Sequence, residues 1–239
     1  MPAPRPTADV RYLRPALVAS AVLLLYNNLV SLVPLETRQD FLLYSNLSLT
    51  AIALLAAYAL DLRPSDLGLT PRAVARSSLW GLAIGLVLAL PPVAFIVLSP
   101  FVTGETVQAG DINDLSPGEM ALRMAVRIPI GTALTEELVF RGVLFALWQK
   151  AAGLGGAVMG TSAVFALWHL VITFGSVADS EVVEGPALIV LGYVGSLLAL
   201  FIGGLFFALL RWRTGSVAGP FFVHWLTVAL MTLAVWARD

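Results

Sequence analysis

Polar and apolar positions along this chain alternate in blocks, with neither the period of two of a half-buried strand nor the one-sided stripe of a surface helix. Runs that are apolar all round occupy residues 15–33, 41–60, 80–98, 154–174, 187–210 and 217–236. Each is close to the roughly 20 residues that a helix needs to cross a bilayer. Another helix is expected from Ser116 through Trp148, where Ser116 precedes Pro117 and Glu119 follows three residues on, the spacing of a capping box. The expected fold class is therefore all-α: a polytopic transmembrane helical bundle of about seven spans. Helices one to three and their loops fall in residues 1–115, and a four-helix core falls in 116–239.

The polar interruptions refine this picture. Residues 61–78 read as a connector with Pro64, Gly68 and Pro71 as breakers, and residues 100–118 as a loop. Pro91-Pro92 predicts a kink or a break in the third helix, because each proline removes a backbone donor and crowds the preceding turn. Asn27 and Asn28 interrupt the first run and suit hydrogen bonding between helices. That run is long and lacks a small-x-small cleavage site, so it reads as a retained helix rather than a signal peptide. Gly192, Gly195, Gly203 and Gly204 suit close helix packing. Neither an internal repeat nor the inverted duplication common in transporters is visible.

Composition agrees with the pattern. Hydrophobic residues make up 59% and charged ones 12% of the 239, where a soluble domain carries about 25% charged residues. The mean hydropathy is +0.88. No cysteine is present, which excludes disulfides, thiolate metal sites and cysteine nucleophiles. The net charge of −1 matters less than where the charges stand. Arg5, Arg11, Arg14, Arg63, Arg72, Arg76, Lys150, Arg211 and Arg213 flank alternate connectors, while Glu105, Asp111, Asp114, Asp179, Glu181 and Glu184 collect in the others. The positive-inside rule then predicts a multi-pass cell-membrane protein with its N-terminus cytoplasmic and its C-terminus outside. Thirteen arginines against one lysine favour a bacterial membrane. The expected partners are the lipid bilayer and a peptide or membrane-protein substrate rather than nucleic acid; the oligomeric state is open.

One stretch breaks the apolar rule inside a predicted span. Thr135–Gly142 holds Glu136, Glu137 and Arg141. A charge at the centre of a membrane helix costs about 2.5–3.5 kcal/mol on insertion scales and so marks a functional site by default. Glu137 and Arg141, four apart, share a helix face and can pair, which leaves Glu136 to face elsewhere. Apolar surroundings and a neighbouring negative charge would suit Glu136 to general-base work. Both histidines, His169 and His224, also lie in apolar runs. Two routes to hydrolysis are open at this stage. In one, Glu136, His169 and His224 are the ligands of a zinc ion that acidifies its water; in the other, Glu136 and His169 activate water directly while His224 polarises the oxyanion. A single-helix HExxH pattern is absent. A carboxylate–histidine proton or ion transporter and a non-catalytic membrane scaffold or immunity protein are the rival classes.

These residues resemble the CPBP group of intramembrane proteases, also called the CAAX amino-terminal protease, Rce1-like or bacteriocin-immunity family. Its EExxxR element matches Glu136 to Arg141, and its FxxxH element matches Phe165 to His169. The third element, HxxxN, keeps His224 but has Val228 in place of the asparagine. The resemblance covers roughly residues 116–236 and implies hydrolysis of a peptide bond at the membrane. Glu136, His169 and His224 would be catalytic, with Glu137, Arg141 and Phe165 supporting. Valine offers no hydrogen bond, so a slow enzyme, an altered substrate range and an inactive relative are all compatible with the motif; Thr227, Asn27 or Asn28 are the nearest candidates to substitute. Arg123 and Arg127, a turn apart, suit snorkelling to headgroups more than holding a substrate carboxylate.

Overall fold

The computed structural model describes residues 9–104, 106–107, 110–178 and 185–238, and every regular element among them is helical. Of the charges used to orient the chain, Arg5, Glu105, Asp179, Glu181 and Glu184 lie outside the described residues. A 3-10 turn, Val10–Tyr12, is capped by the Asp9 carboxylate, which accepts from the Arg11 N–H at 3.0 Å, and leads into α1, Leu13–Val30. α2 is Leu35–Ala59, α3 is Pro71–Thr103 and α4 is the short Gly110–Asn113. The next helix opens as α5, Pro117–Leu122, with both hydrogen bonds of the expected Ser116/Glu119 capping box. It continues as two π-helical segments, Arg123–Leu134 and Glu137–Leu144. α6 (Phe145–Trp168), α7 (Leu170–Ala178), α8 (Pro186–Thr214) and α9 (Ala218–Trp236) complete the chain.

Six helices among the described residues are apolar and long enough to cross a membrane, against the expected count of about seven. The difference lies in residues 117–168, which form one helical run of 52 residues. A straight helix of 52 residues would measure roughly 78 Å, far more than the ~30 Å hydrocarbon core. This run is not straight. Gly153 adopts φ 71° and ψ −170°, outside the helical region and open to glycine because it has no Cβ. The chain doubles back there, so that Phe140 meets Phe165 and Trp168 with ring centroids 5.2 and 5.3 Å apart.

The expected third span also needs correction. Pro91-Pro92 does not end it: α3 runs through both prolines and Pro100 to a left-handed Gly104. Its polar beginning, 72–78, is helical too, because Pro71 takes the first helical position, where its missing N–H costs nothing. α3 lies parallel to α9. A Cβ on Gly81 would come within 2.5 Å of the Gly219 carbonyl oxygen, and at the far end Arg238 donates to the Ile96 and Val97 carbonyls. That long shared face supports the helix across its proline defects, as neighbouring helices do in membranes.

The basic connectors converge on one end of the bundle. The Asp9 N–H donates to the Lys150 carbonyl at 2.8 Å, Lys150 Nζ pairs with Asp66 at 3.2 Å, and the Val217 N–H reaches the Gly68 carbonyl at 3.3 Å. At the other end Trp236 Nε1 donates to the Leu115 carbonyl at 2.8 Å, and Asn113 Nδ2 to that of Val235 at 3.3 Å. Of the four α8 glycines, Gly204 and Gly192 do pack closely, with prospective Cβ contacts of 3.0 Å to Ser162 and 3.2 Å to Val177. Gly195 and Gly203 face open space.

Candidate active site

The π-helical winding sets the local geometry. At the end of the first π segment, Thr135 Oγ1 donates to the carbonyl of Ile130 at 3.2 Å and the Thr135 N–H to that of Thr132. Pro129 sits within the first π segment, and Glu136 lies at the junction between the two. Neither feature has a simple sequence signature. The relation of Glu137 to Arg141 nevertheless survives, because positions four apart stay neighbours on the helix surface.

Glu137 is fully buried and Arg141 is 1% exposed. Arg141 Nη1 donates to Glu137 Oε1 at 3.3 Å, and His224 Nδ1 donates to the same oxygen at 3.1 Å. The guanidinium is boxed by rings, 4.3 Å from the Phe165 centroid, 5.1 Å from Phe207 and 5.8 Å from Phe140. Cation–π attraction in this dry setting adds to the ion pair, contributing about 2 kcal/mol for a desolvated contact. Phe207 also stacks on His224, with centroids 5.8 Å apart. Glu137, Arg141 and His224 are thus joined through one carboxylate oxygen, Oε1, while Glu137 Oε2 and Arg141 Nε have no partner among the described residues.

Glu136 is different. It is 9% exposed, and its Oε2 has no hydrogen-bond partner among the described residues. Arg141 and His224 both lie within reach of its charge. Glu137 Oε2 shares that lack, but Glu137 is anchored through its other oxygen, whereas no described residue bonds Glu136, so nothing in the fold fixes its carboxylate. Among the described residues no hydrogen bond joins Glu136 to His169 or His224.

His169 stands where the expected span 154–174 is broken. Its backbone, φ −95° and ψ 8°, separates α6 from α7. Its Nδ1 lies 2.8 Å from the Phe165 carbonyl, which can only accept, so Nδ1 carries the proton and the neutral ring keeps Nε2 as its lone-pair nitrogen. The break frees backbone groups, and α1 satisfies them. Asn27 Nδ2 donates to the Trp168 carbonyl at 2.7 Å, Asn28 Nδ2 to that of Leu167 at 2.9 Å, and Asn28 Oδ1 accepts from the Val171 N–H at 3.0 Å. The two asparagines bond helix to helix as expected, and the bonds they make fix the turn that carries His169.

Arg211 was legible only as a loop charge, yet it is 5% exposed and supports the site helix. Its Nε donates to the Arg141 carbonyl at 3.1 Å and its Nη2 to that of Asp66 at 2.9 Å. Gly68 makes room for it: at φ 72° it carries no Cβ, and one would lie 2.5 Å from the guanidinium. Phe207, which touches both Arg141 and His224, had no distinguishing signal among the many apolar residues of α8.

A cavity of ≈ 310 Å³ lies next to these groups. Thr132, Ile172 and Val228 line it, each about one helical turn beyond Glu136, His169 and His224 respectively. Asn27 shares the wall with Val228. Thr227 Oγ1 is buried with no partner among the described residues. Among those residues no group of three or more His, Cys, Asp or Glu is gathered closely enough to hold a metal ion. Glu136, His169 and His224 therefore do not form a ligand set in this arrangement.

The family model described as type II CAAX prenyl endopeptidase, Rce1-like, matches residues 118–230. That stretch runs from α5 into α9 and includes Glu136, Glu137, Arg141, Phe165, His169 and His224. No curated protein and no solved structure matches the chain. Over residues 118–230 the chain is thus similar to the Rce1-like type II CAAX prenyl endopeptidase family, a family of intramembrane endopeptidases.

Proposed function

We propose that Glu136 is the general base of a peptide-bond hydrolysis carried out within the membrane. The observation that carries this reading is the division between two adjacent carboxylates. Glu137 is held through Oε1 by Arg141 and His224 and is fully buried, whereas Glu136 has no hydrogen bond from any described residue and is 9% exposed. Glu136 takes a proton from water, the hydroxide attacks the peptide carbonyl, and the proton passes on to the departing amine. His169 offers Nε2 to the same water, held in orientation by its Nδ1–H bond to Phe165. His224 is fixed through Nδ1 by Glu137, and in its doubly protonated form it offers the Nε2–H to the developing oxyanion. No step is routed through a metal, because these three side chains do not gather as a ligand set.

Val228 leaves the oxyanion without a side-chain donor at the position one turn beyond His224, so the enzyme works slowly. The substrate is a membrane-embedded peptide. With the basic connectors drawn together at one end, the positive-inside rule sets that end, and the N-terminus with it, on the cytoplasmic side.

Purified protein incubated with an apolar membrane peptide tests this reading. Cleavage by the wild type that is lost in Glu136→Ala and His169→Ala is the expected result; equal cleavage by all three sinks it. Metal analysis of the same preparation tests the route. Stoichiometric zinc that disappears in His169→Ala and His224→Ala would replace direct water activation with a metal site.

A further inference from the structure

α3 begins with a pair of cations that the fold does not use. Arg72 and Arg76 stand four apart on one helix face, and both are exposed. Among the described residues neither side chain makes a hydrogen bond or an ion pair. Two carboxylates of the same end are taken elsewhere: Asp9 pairs with Arg11 at 2.6 Å and Asp66 with Lys150 at 3.2 Å. Residues 1–8, outside the described ones, include no Asp or Glu. Like charges one turn apart repel, and cations at the start of a helix oppose its dipole, so the pair does nothing for α3 itself. Beyond Arg76 the same face turns apolar and stays uncovered. Leu79 is 71% and Trp80 58% exposed, and Val87 and Leu90 continue the stripe. The opposite face is the packed one, where Ser77 is buried and a Cβ on Gly85 would lie 3.1 Å from Leu226 of α9. A second helix end stands alongside. The last turn of α8 carries exposed Trp212 and Arg213, the guanidinium 5.6 Å from the indole centroid. A Cβ on Gly215, two residues on, would lie 3.9 Å from that of Ala73.

We propose that Arg72 and Arg76, with Arg213 beside them, hold the headgroup of an anionic phospholipid whose acyl chains run along the exposed face of α3. The proposal does not depend on the hydrolytic reading above. A guanidinium presents a fork of N–H donors that matches two phosphate oxygens, and it stays charged at any working pH. A single snorkelling arginine needs only water at its tip. Three arginines from two adjoining helix ends, with no acid paired to Arg72 or Arg76, set up a local positive field that an anion relieves. The apolar stripe selects a lipid over a soluble anion. Trp80 follows Arg76 by four residues, roughly 6 Å at the helical rise, which is where a tryptophan sits at headgroup level. Leu79, Val87 and Leu90 then extend into the depth of the acyl chains on the same face. A free phosphate would meet only the arginines, whereas a phospholipid is matched along its whole length.

Retained lipid reads the site directly. Full-length protein is reconstituted in nanodiscs of equal phosphatidylglycerol and phosphatidylcholine, released into mild detergent and weighed by native mass spectrometry. The wild type should keep phosphatidylglycerol about 30-fold over phosphatidylcholine, the preference expected of two arginines at a membrane surface. Arg72→Gln/Arg76→Gln should abolish that preference. Arg14→Gln/Arg63→Gln removes the same charge from exposed positions of the same end and should leave it intact. Equal retention of both lipids by the wild type overturns the proposal. So does an equal loss in the two double variants, since the preference would then belong to the overall field of the basic end. Thermal unfolding in detergent separates the two sources of phosphate. Added phosphatidylglycerol should raise the midpoint of the wild type but not that of Arg72→Gln/Arg76→Gln, because a ligand stabilises only the form that binds it. Glycerol phosphate at the same concentration should raise neither. A rise with glycerol phosphate as large as that with the lipid identifies a site for a free anion and overturns the lipid. All four substituted side chains are exposed, so without added lipid both double variants should unfold at the wild-type midpoint.

Discussion

The two ends of the bundle use arginine in opposite ways. At the end that holds residues 9–12, 61–70 and 211–217, charge is tied into the fold: Arg211 donates to two backbone carbonyls, and Lys150 pairs with Asp66. At the other end Arg38, Arg123 and Arg127 line a cavity of ≈ 310 Å³. A cation whose partners are supplied by its own chain contributes to stability. The same residue type therefore ties segments together at one end and lines a cavity at the other.

Arg141 lies between the two ends and tests the structural side most severely. Replacing it with Met would leave Glu137 buried with His224 alone, and the loss of one partner of a buried pair costs about 3–5 kcal/mol. The midpoint of thermal unfolding in detergent should fall accordingly, and an unchanged midpoint would show that this joined unit is not structural. Arg211→Gln comes next, at about 1.5–3 kcal/mol for bonds made by a charged donor. Gly68→Ala should be worse in the wild type than in an Arg211→Ala background, because part of its cost is the collision with the guanidinium. Equal costs in both backgrounds would break that coupling. Asn28→Ala leaves the Val171 N–H and the Leu167 carbonyl without their partner, worth about 1–2 kcal/mol, and should slow cleavage further by loosening His169. Arg127→Gln, at the cavity end, should change stability by no more than about 0.5 kcal/mol. A large destabilisation there would erase the contrast between the ends.

Much of this arrangement is legible in the sequence, for identifiable reasons. The cap at Ser116 is read correctly because its two hydrogen bonds are local and depend on residues three apart. Glu137 and Arg141 pair as expected because they belong to one helix surface. Asn27 and Asn28 are recognisable as bonding groups, since an amide in an apolar run needs partners, but their partners lie about 140 residues away and cannot be read from spacing. The reversal at Gly153 falls in AAGLGG, where three glycines compete and only the three-dimensional contacts select one. The π segments are hidden because a fifth-residue register leaves no clear hydrophobic period. Arg211 looks like any connector charge until Gly68, on a distant segment, makes room for it. Pro91-Pro92 misleads in the opposite direction, since tertiary support from α9 offsets a local defect.

The central claim is that two neighbouring carboxylates do different work, and parallel measurement of Glu136→Gln and Glu137→Gln tests it most directly. Each variant is assayed for cleavage rate of a membrane peptide and for thermal midpoint in the same detergent. Glu136→Gln should keep the midpoint while losing about 10²–10⁴-fold in rate, the range of general-base catalysis. Glu137→Gln should lower the midpoint, because it removes the charge that Arg141 and His224 share. A Glu136→Gln protein that cleaves at the wild-type rate would contradict the account.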